Sequence, residues 1–525
     1  MPKRLANPMR RFLPRSFSSD PQTITPSGAT QWLEAQPQDQ PVLLIENLIQ
    51  RVKSIRKQGD NPRSQLKQLE QLLGHADPVL RRIERTLDQC TLPLDANTKA
   101  SALQCDRLLK NFTEAYIALA RSLADKWLRV MHRHAHMLAM LRATQLCYRR
   151  AMVAHRAHAS GSTRRWAQLH ALLKIARQNG FADQRLDSSS HDTVANVYIH
   201  TALIALLDAA SLGGTELGRA RFYVERFGHH ARILDESPSP RERIEGLFIL
   251  SDSSRGPRRL KADHALQEGE LILDCRPLIA KTAKHLAGLR KGMEPARLSL
   301  PMDARDPAYG FMLSRCMEQW SEPRSRKDAR NKSAQVADLV TGFDSVRHIL
   351  ATAAFKRSRS ESFDGITDGM PLASQWSVVD HSSSGFGLRF AGGHLAPISI
   401  GELIALRPAG SSTVFVCATR RVRNSGSGEI EIGLEILSDQ AAPASMARPM
   451  GKKTVSIPVL LMPKVARLDG MPGLIAPMSD VAPGMTLEVP HRGKPVQLEA
   501  QAAVERLSSC ELIPLLKKTL PEGDG

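Results

Sequence analysis

The apolar residues of this chain keep two different periods, and that change limits the fold more than any other feature. From Pro41 onward, the stretches VLLIENLIQRVKSI, SQLKQLEQLL and PVLRRIERTL place apolar side chains at i, i+3, i+4 and i+7, the period of an amphipathic helix. The same texture continues between Asn97 and His158, through WAQLHALLKIARQ and TVANVYIHTALIALLDAASL, which Gly213 and Gly214 close, and over 215–234. From about residue 331 the period falls to two. SAQVADLV, QWSVVDHS, GFGLRFAG, GELIALRP, TVFVCATRRVRN and GEIEIGLEIL are short, partly alternating runs between Gly, Ser and Pro turns, as an antiparallel barrel or sandwich requires.

At 525 residues the chain exceeds one ordinary core. The expected division begins with a disordered basic tail over 1–38 and an α-helical domain over 39–235. A small α/β connecting module follows over 236–318, with strands in IEGLFILSD and GELILDCRP and a helix in LIAKTAKHLAGLRKGM. An antiparallel β-barrel is expected over 319–442 and a C-terminal β unit over 443–525, the two separated by a Pro/Ala/Met-rich break at 440–451. The fold class is therefore α+β and multidomain: an N-terminal helical bundle, a β-barrel and a further small β unit.

Charge narrows the partners. The net charge of +19 points to an anionic ligand or surface: nucleic acid, acidic lipid or a phosphorylated metabolite. Residues 126–182 hold eleven Lys or Arg and six His with no Asp or Glu. They read either as a face for nucleic acid or acidic lipid, or as a face solvated or neutralised by acidic helices elsewhere in the bundle. Within the run, His132 and His136 stand one turn apart, a spacing that can hold a metal, yet no acidic or Cys third ligand is nearby; the expectation is no metal. Seven scattered cysteines without a Cys-x-x-Cys fit neither a disulfide framework nor a zinc set, which suits a cytoplasmic protein. The basic N-terminus lacks an apolar run long enough for a signal peptide, and no segment is apolar enough to span a membrane. Phosphate loop, dinucleotide fingerprint and serine-nucleophile elbow are all missing; LGG, GFG and AGG read as turn glycines. No enzyme and no cofactor are expected.

One constellation remains. In SRKDARNKSAQV, Arg326 and Arg330 sit four apart just before the first strand of the β half. Fifty residues on, WSVVDHSSSGFGLRF carries Asp380-x-Ser382-x-x-Gly385 at a predicted strand turn. VFVCATRRVRNSGSGEIEIGLEIL then gives strand, turn and strand, with Gly433 among apolar residues. Over about 325–440 this order resembles the PilZ family, bacterial receptors for cyclic di-GMP.

The resemblance implies a PilZ-like antiparallel β-barrel with cyclic di-GMP bound by Arg326, Arg330, Asp380, Ser382 and Gly385. The chemistry suits it. Arginine's planar fork takes phosphate in two hydrogen bonds and lies flat on a purine. Asp380 can accept from a guanine N–H edge, Ser382 can reach phosphate or guanine, and Gly385 can keep the turn tight by adopting a backbone angle closed to other residues.

The gap between the two motifs is longer than the family usually shows. The insertion 341–374, partly helical in texture, can carry Arg357 and Arg359 toward the site, and Arg324 and Lys327 compete for the same role. The helical half is then expected to meet an unidentified protein partner, with ligand binding rearranging it to control motility, attachment or biofilm. The competing readings are a nucleic-acid-binding regulator using 126–182 and an adaptor with a degenerate, non-binding barrel.

Overall fold

A computed structural model of the chain describes residues 41–57, 61–124, 132–159, 163–186, 192–235, 245–251, 254–261, 264–322, 331–333, 335–352, 356–357, 372–424, 429–450, 453–491 and 494–517. The tail expected over 1–38 lies outside them.

The first half is helical: α1 (Pro41–Lys57), α2 (Pro62–Gln89), α3 (Ala96–Leu123), α4 (Arg133–Arg156), α5 (Thr163–Gln178), α6 (Val194–Leu206) and α7 (Gly214–Phe227). Local chemistry sets the starts. Asn61 accepts from the Arg63 N–H at 2.9 Å ahead of α2, and Asp95 accepts from the N–H groups of Asn97 and Thr98 at 2.9 Å ahead of α3, each satisfying donors a helix leaves unpaired. Leu108, Leu109, Phe112 and Tyr116 on α3 are fully buried, and each such side chain contributes about 1.5–3 kcal/mol.

Between α2 and α4 runs a charge zipper with a seven-residue period. Arg142 pairs with Glu70 at 2.8 Å, Arg149 with Asp77 at 2.7 Å and with Glu84, and Arg156 with Asp88. Arg150 adds a pair with Asp106 of α3 at 3.0 Å. Arg142, Arg149, Arg150 and Arg156, four of the run's eleven cations, are thus neutralised by neighbouring helices and do not form an open cationic face.

Residues 232–234, expected to end a helix, instead form β1 (Arg232–Leu234). It joins β2 (Leu247–Leu250), β3 (Arg258–Arg259) and β4 (Leu271–Asp274) in an antiparallel sheet ordered β1-β4-β2-β3. Helices α8 (Arg276–Arg290) and α9 (Pro307–Ser321) complete this module. Its Phe248, Leu273, Leu278, Tyr309 and Trp320 belong to the same apolar cluster as the bundle. The Trp320 indole donates to the Leu203 carbonyl of α6 at 3.2 Å.

The β half holds two barrels. The first comprises β5 (Asn331–Lys332), β6 (Val336–Thr341), β7 (Lys356–Arg357), β8 (Leu372–Ser382), β9 (Gly385–Gly392), β10 (Leu403–Pro408), β11 (Phe415–Asn424) and β12 (Ile430–Ser438), with α10 (Phe343–Thr352) between β6 and β7. The antiparallel pairing β8-β6-β10-β11-β12-β9 returns to β8, so six strands close. Trp376, Val378, Phe386, Leu388, Ile404, Val422, Ile432 and Leu434 fill the interior. Leu92, from the α2–α3 connection, joins that interior, and its N–H and C=O exchange hydrogen bonds with Ile398 at 3.3 and 2.8 Å.

The second barrel holds β13 (Ala442–Met450), β14 (Lys453–Met462), β15 (Gly473–Pro477), β16 (Thr486–His491), β17 (Lys494–Ala500), β18 (Glu505–Arg506) and β19 (Cys510–Lys517). The break expected at 440–451 is in fact its first strand. Pro443 and Pro449 are tolerated because β13 has one laddered neighbour, β14, among the described residues, and proline is at home on an edge.

Counting the six long strands of each barrel in chain order, both run 1-2-3-6-5-4. The second is nearly closed, with β16 returning against β13. The barrels meet through Ala405, Val416 and Ala418 on one side and Leu460, Ile475 and Leu512 on the other. Beside that core, Arg420 of the first barrel binds Glu435 and also Glu505 of the second.

Candidate functional site

The Asp-x-Ser-x-x-Gly motif occupies the hairpin between β8 and β9. Ser382 and Gly385 face each other across a two-residue connection, Ser383–Ser384, and the Ser382 and Ser384 hydroxyls lie 3.3 Å apart. Gly385 serves a purpose other than the one expected. It is a strand residue without positive φ, and a Cβ there would stand 2.2 Å from the Leu434 carbonyl oxygen. Close approach of β9 to β12, and not turn geometry, demands the glycine.

Asp380 lies within β8 just after an irregularity at Val378/Asp380 that turns the strand. It is flanked by Lys332 of β5 on one side and Gly387 of β9 on the other. Arg326 and Arg330 lie outside the described residues, as do Arg324 and Lys327. The chain next to them is described: Asn331 pairs with His381 and Lys332 with Asp380. The residue that follows Arg330 is therefore laddered beside the motif.

The insertion does not route Arg357 there. Arg357 pairs with Ala373 near the start of β8, and the seven residues to Asp380 span roughly 23 Å of strand. Arg359 is outside the described residues.

Following the ladder outward from Asp380 gives a row of four: Asp380, Gly387, Gly433 and Arg421. Phe386, Leu388, Ile432 and Leu434 point into the barrel, so the intervening Gly387 and Gly433 face out. The Arg421 Cβ lies 3.3 Å from where a Gly433 Cβ would stand, on the same face. Two strands thus present bare backbone between Asp380 and Arg421, whose main chains stand about 14 Å apart along the sheet at three strand spacings. A planar base can lie on such a floor, its edge toward Asp380 and a phosphate toward Arg421.

To one side stands the Arg389–Glu431 pair at 2.8 Å, to the other Gly385 and Glu435. Arg421 itself reaches Asp208 of the helical half, its Nη2 3.3 Å from Oδ1, while its Nε is buried without a partner.

Sequence reasoning took Gly385-Phe386-Gly387 as turn glycines and passed over Arg421. The clue was present: glycines inside a strand pattern mark places where backbone must be approached closely. The pairing that sets Gly387 beside Gly433, and Gly433 beside Arg421, is long-range and leaves no local trace.

The histidine pair does not assemble a site. His132 accepts from the Arg63 Nε at 3.0 Å, and His136 is buried edge-on against Phe181. Among the described residues no group of three or more His, Cys, Asp or Glu could hold a metal, and no helix is long and apolar enough to cross a membrane.

No curated protein matches the chain. Residues 27–239, about two-fifths of its length, match a family described as the N-terminal domain of the cyclic-di-GMP receptor FimW. The match falls on the helical half and stops short of both barrels, so it supports a cyclic-di-GMP receptor family without specifying a PilZ domain.

Proposed function

We propose that this chain is a cytoplasmic receptor for cyclic di-GMP, binding the dinucleotide on the first barrel and transmitting occupancy to its helical half. Arg326 and Arg330 close over the ligand, Asp380 accepts from a guanine N–H edge, Ser382 contacts phosphate or guanine, and Gly385 holds β9 against β12. The carrying observation is that β5, which begins directly after Arg330, is laddered to Asp380 and His381 on a closed six-stranded barrel. The family match on the helical half independently favours the same ligand.

The reading is of a binding protein, not a catalyst. Ligand held between the arginines and the barrel shifts the helical half, changing the surface offered to a protein partner. The controlled process is motility, surface attachment or biofilm formation. Calorimetric titration with cyclic di-GMP tests it: saturable binding by the full chain is expected, abolished by Arg326→Ala with Arg330→Ala. Binding that survives the double change removes the site; a wild-type chain that ignores the nucleotide removes the receptor.

A further inference from the structure

We infer that Arg421 is a further ligand-binding residue, and that Asp208 of the helical half competes with ligand phosphate for it. This rests on the cyclic di-GMP reading and adds the means by which the site reports to the bundle. Arg421 ends the glycine floor opposite Asp380. One guanidinium arm is engaged, Nη2 to Asp208 Oδ1 at 3.3 Å. The Nε donor is buried and unpartnered. A phosphate can take the two terminal nitrogens of the guanidinium, Nη1 and Nη2, at once, which a single carboxylate oxygen at 3.3 Å does not.

The contact to be displaced is weak, since the Asp208 side chain is 48% exposed and such pairs are screened by solvent. What it holds is not trivial. Asp208 immediately precedes the 3-10 turn Ala209–Ser211, which packs against β11. Drawing Arg421 onto the ligand therefore frees the segment where the bundle leans on the barrel wall. Because coupling is reciprocal, weakening the Arg421–Asp208 pair must tighten ligand binding.

Asp208→Asn is the first test. Asp208 has φ of +46°, a conformation Asn tolerates, so the fold is preserved while the charge is lost. Titration with cyclic di-GMP should show affinity rising about three- to tenfold. Arg421→Gln should lower affinity about tenfold or more. Arg421→Lys, which keeps the charge but loses the fork, should bind more weakly than wild type at an unchanged melting temperature. Hydrogen exchange at 208–211 should quicken on adding ligand to wild type and not respond in Arg421→Gln.

Wild-type affinity in Asp208→Asn and in both Arg421 variants, with binding still lost in the Arg326/Arg330 double change, overturns this inference and leaves the receptor reading intact. No binding by the wild-type chain overturns both.

Discussion

Gly385 and Gly473 occupy the same place in their two barrels. Each opens strand 3 and sits against strand 6: a Cβ would stand 2.2 Å from the Leu434 carbonyl oxygen in one case and 3.2 Å from the Ile513 carbonyl oxygen in the other. The shared constraint makes the difference between the outer faces informative. In the first barrel, strands 2, 3 and 6 turn Asp380, Gly387 and Gly433 outward. In the second, the corresponding face turns out Leu460, Ile475 and Leu512, all buried against the first barrel. The same topology presents an open, glycine-floored face once and a docking surface once.

Gly385→Ala should destabilise the first barrel by about 1–3 kcal/mol, the usual cost of forcing a methyl into a packed site, and weaken cyclic di-GMP binding with it. Gly74→Ala is the matched control. It lies exposed inside α2 with nothing within 4 Å of its missing Cβ, and should stabilise the chain by about 1 kcal/mol. Thermal or denaturant melts of the two variants should move in opposite directions.

Asp380→Ala should weaken cyclic di-GMP binding about 10- to 100-fold, as expected for losing a charge-assisted hydrogen bond. Isothermal titration reads this directly.

Arg420→Met should cost on the order of 3 kcal/mol. The side chain is only 20% exposed and binds Glu435 together with Glu505 of the second barrel, itself 13% exposed. Arg467 also reaches Glu435 and Glu505, at 3.2 and 3.3 Å, but one cation would remain for two carboxylates. Urea melts should show the loss, and limited proteolysis should now cut between the barrels.

Stability should fall as pH drops from about 6.5 toward 4. Burial, then nearby cations, depresses the His155 and His285 imidazoles to about 4, against an unfolded value of about 6.5. Over that window the unfolded chain binds protons that the folded chain refuses. The stabilisation is complete above pH 6.5 and lost at about 1.4 kcal/mol per pH unit for each histidine. Melts in buffers from pH 7.5 to 4.5 check the slope; a flat profile would show that neither ring is held neutral.

Much of this was legible because it is local. The period-two runs became β6 and β8 to β12, and the helical periods became α1 to α6, since burying one face is decided within a few residues. The Asp-x-Ser-x-x-Gly motif fell at the hairpin where its spacing put it. Three things were not legible, each for a physical reason. β13 was hidden by its prolines, which argue against a central strand and suit an edge. Helix α9 carries its boundary in Asp306, which accepts from the Ala308 N–H at 3.0 Å ahead of Pro307, a start no hydrophobic period announces. The Arg142, Arg149 and Arg156 zipper reads in isolation as a basic patch, because its acids lie on another helix some seventy residues earlier.

Leu92 lies in the barrel mouth with its backbone hydrogen-bonded to Ile398, beyond the end of β9 farthest from the β8–β9 hairpin. Any reorientation of the helices must therefore turn about two tethers: that leucine, and His158, whose carbonyl accepts from the Asn424 N–H of β11 at 2.9 Å. Displacements should be smallest around residues 90–95 and 158–159 and grow with distance from both.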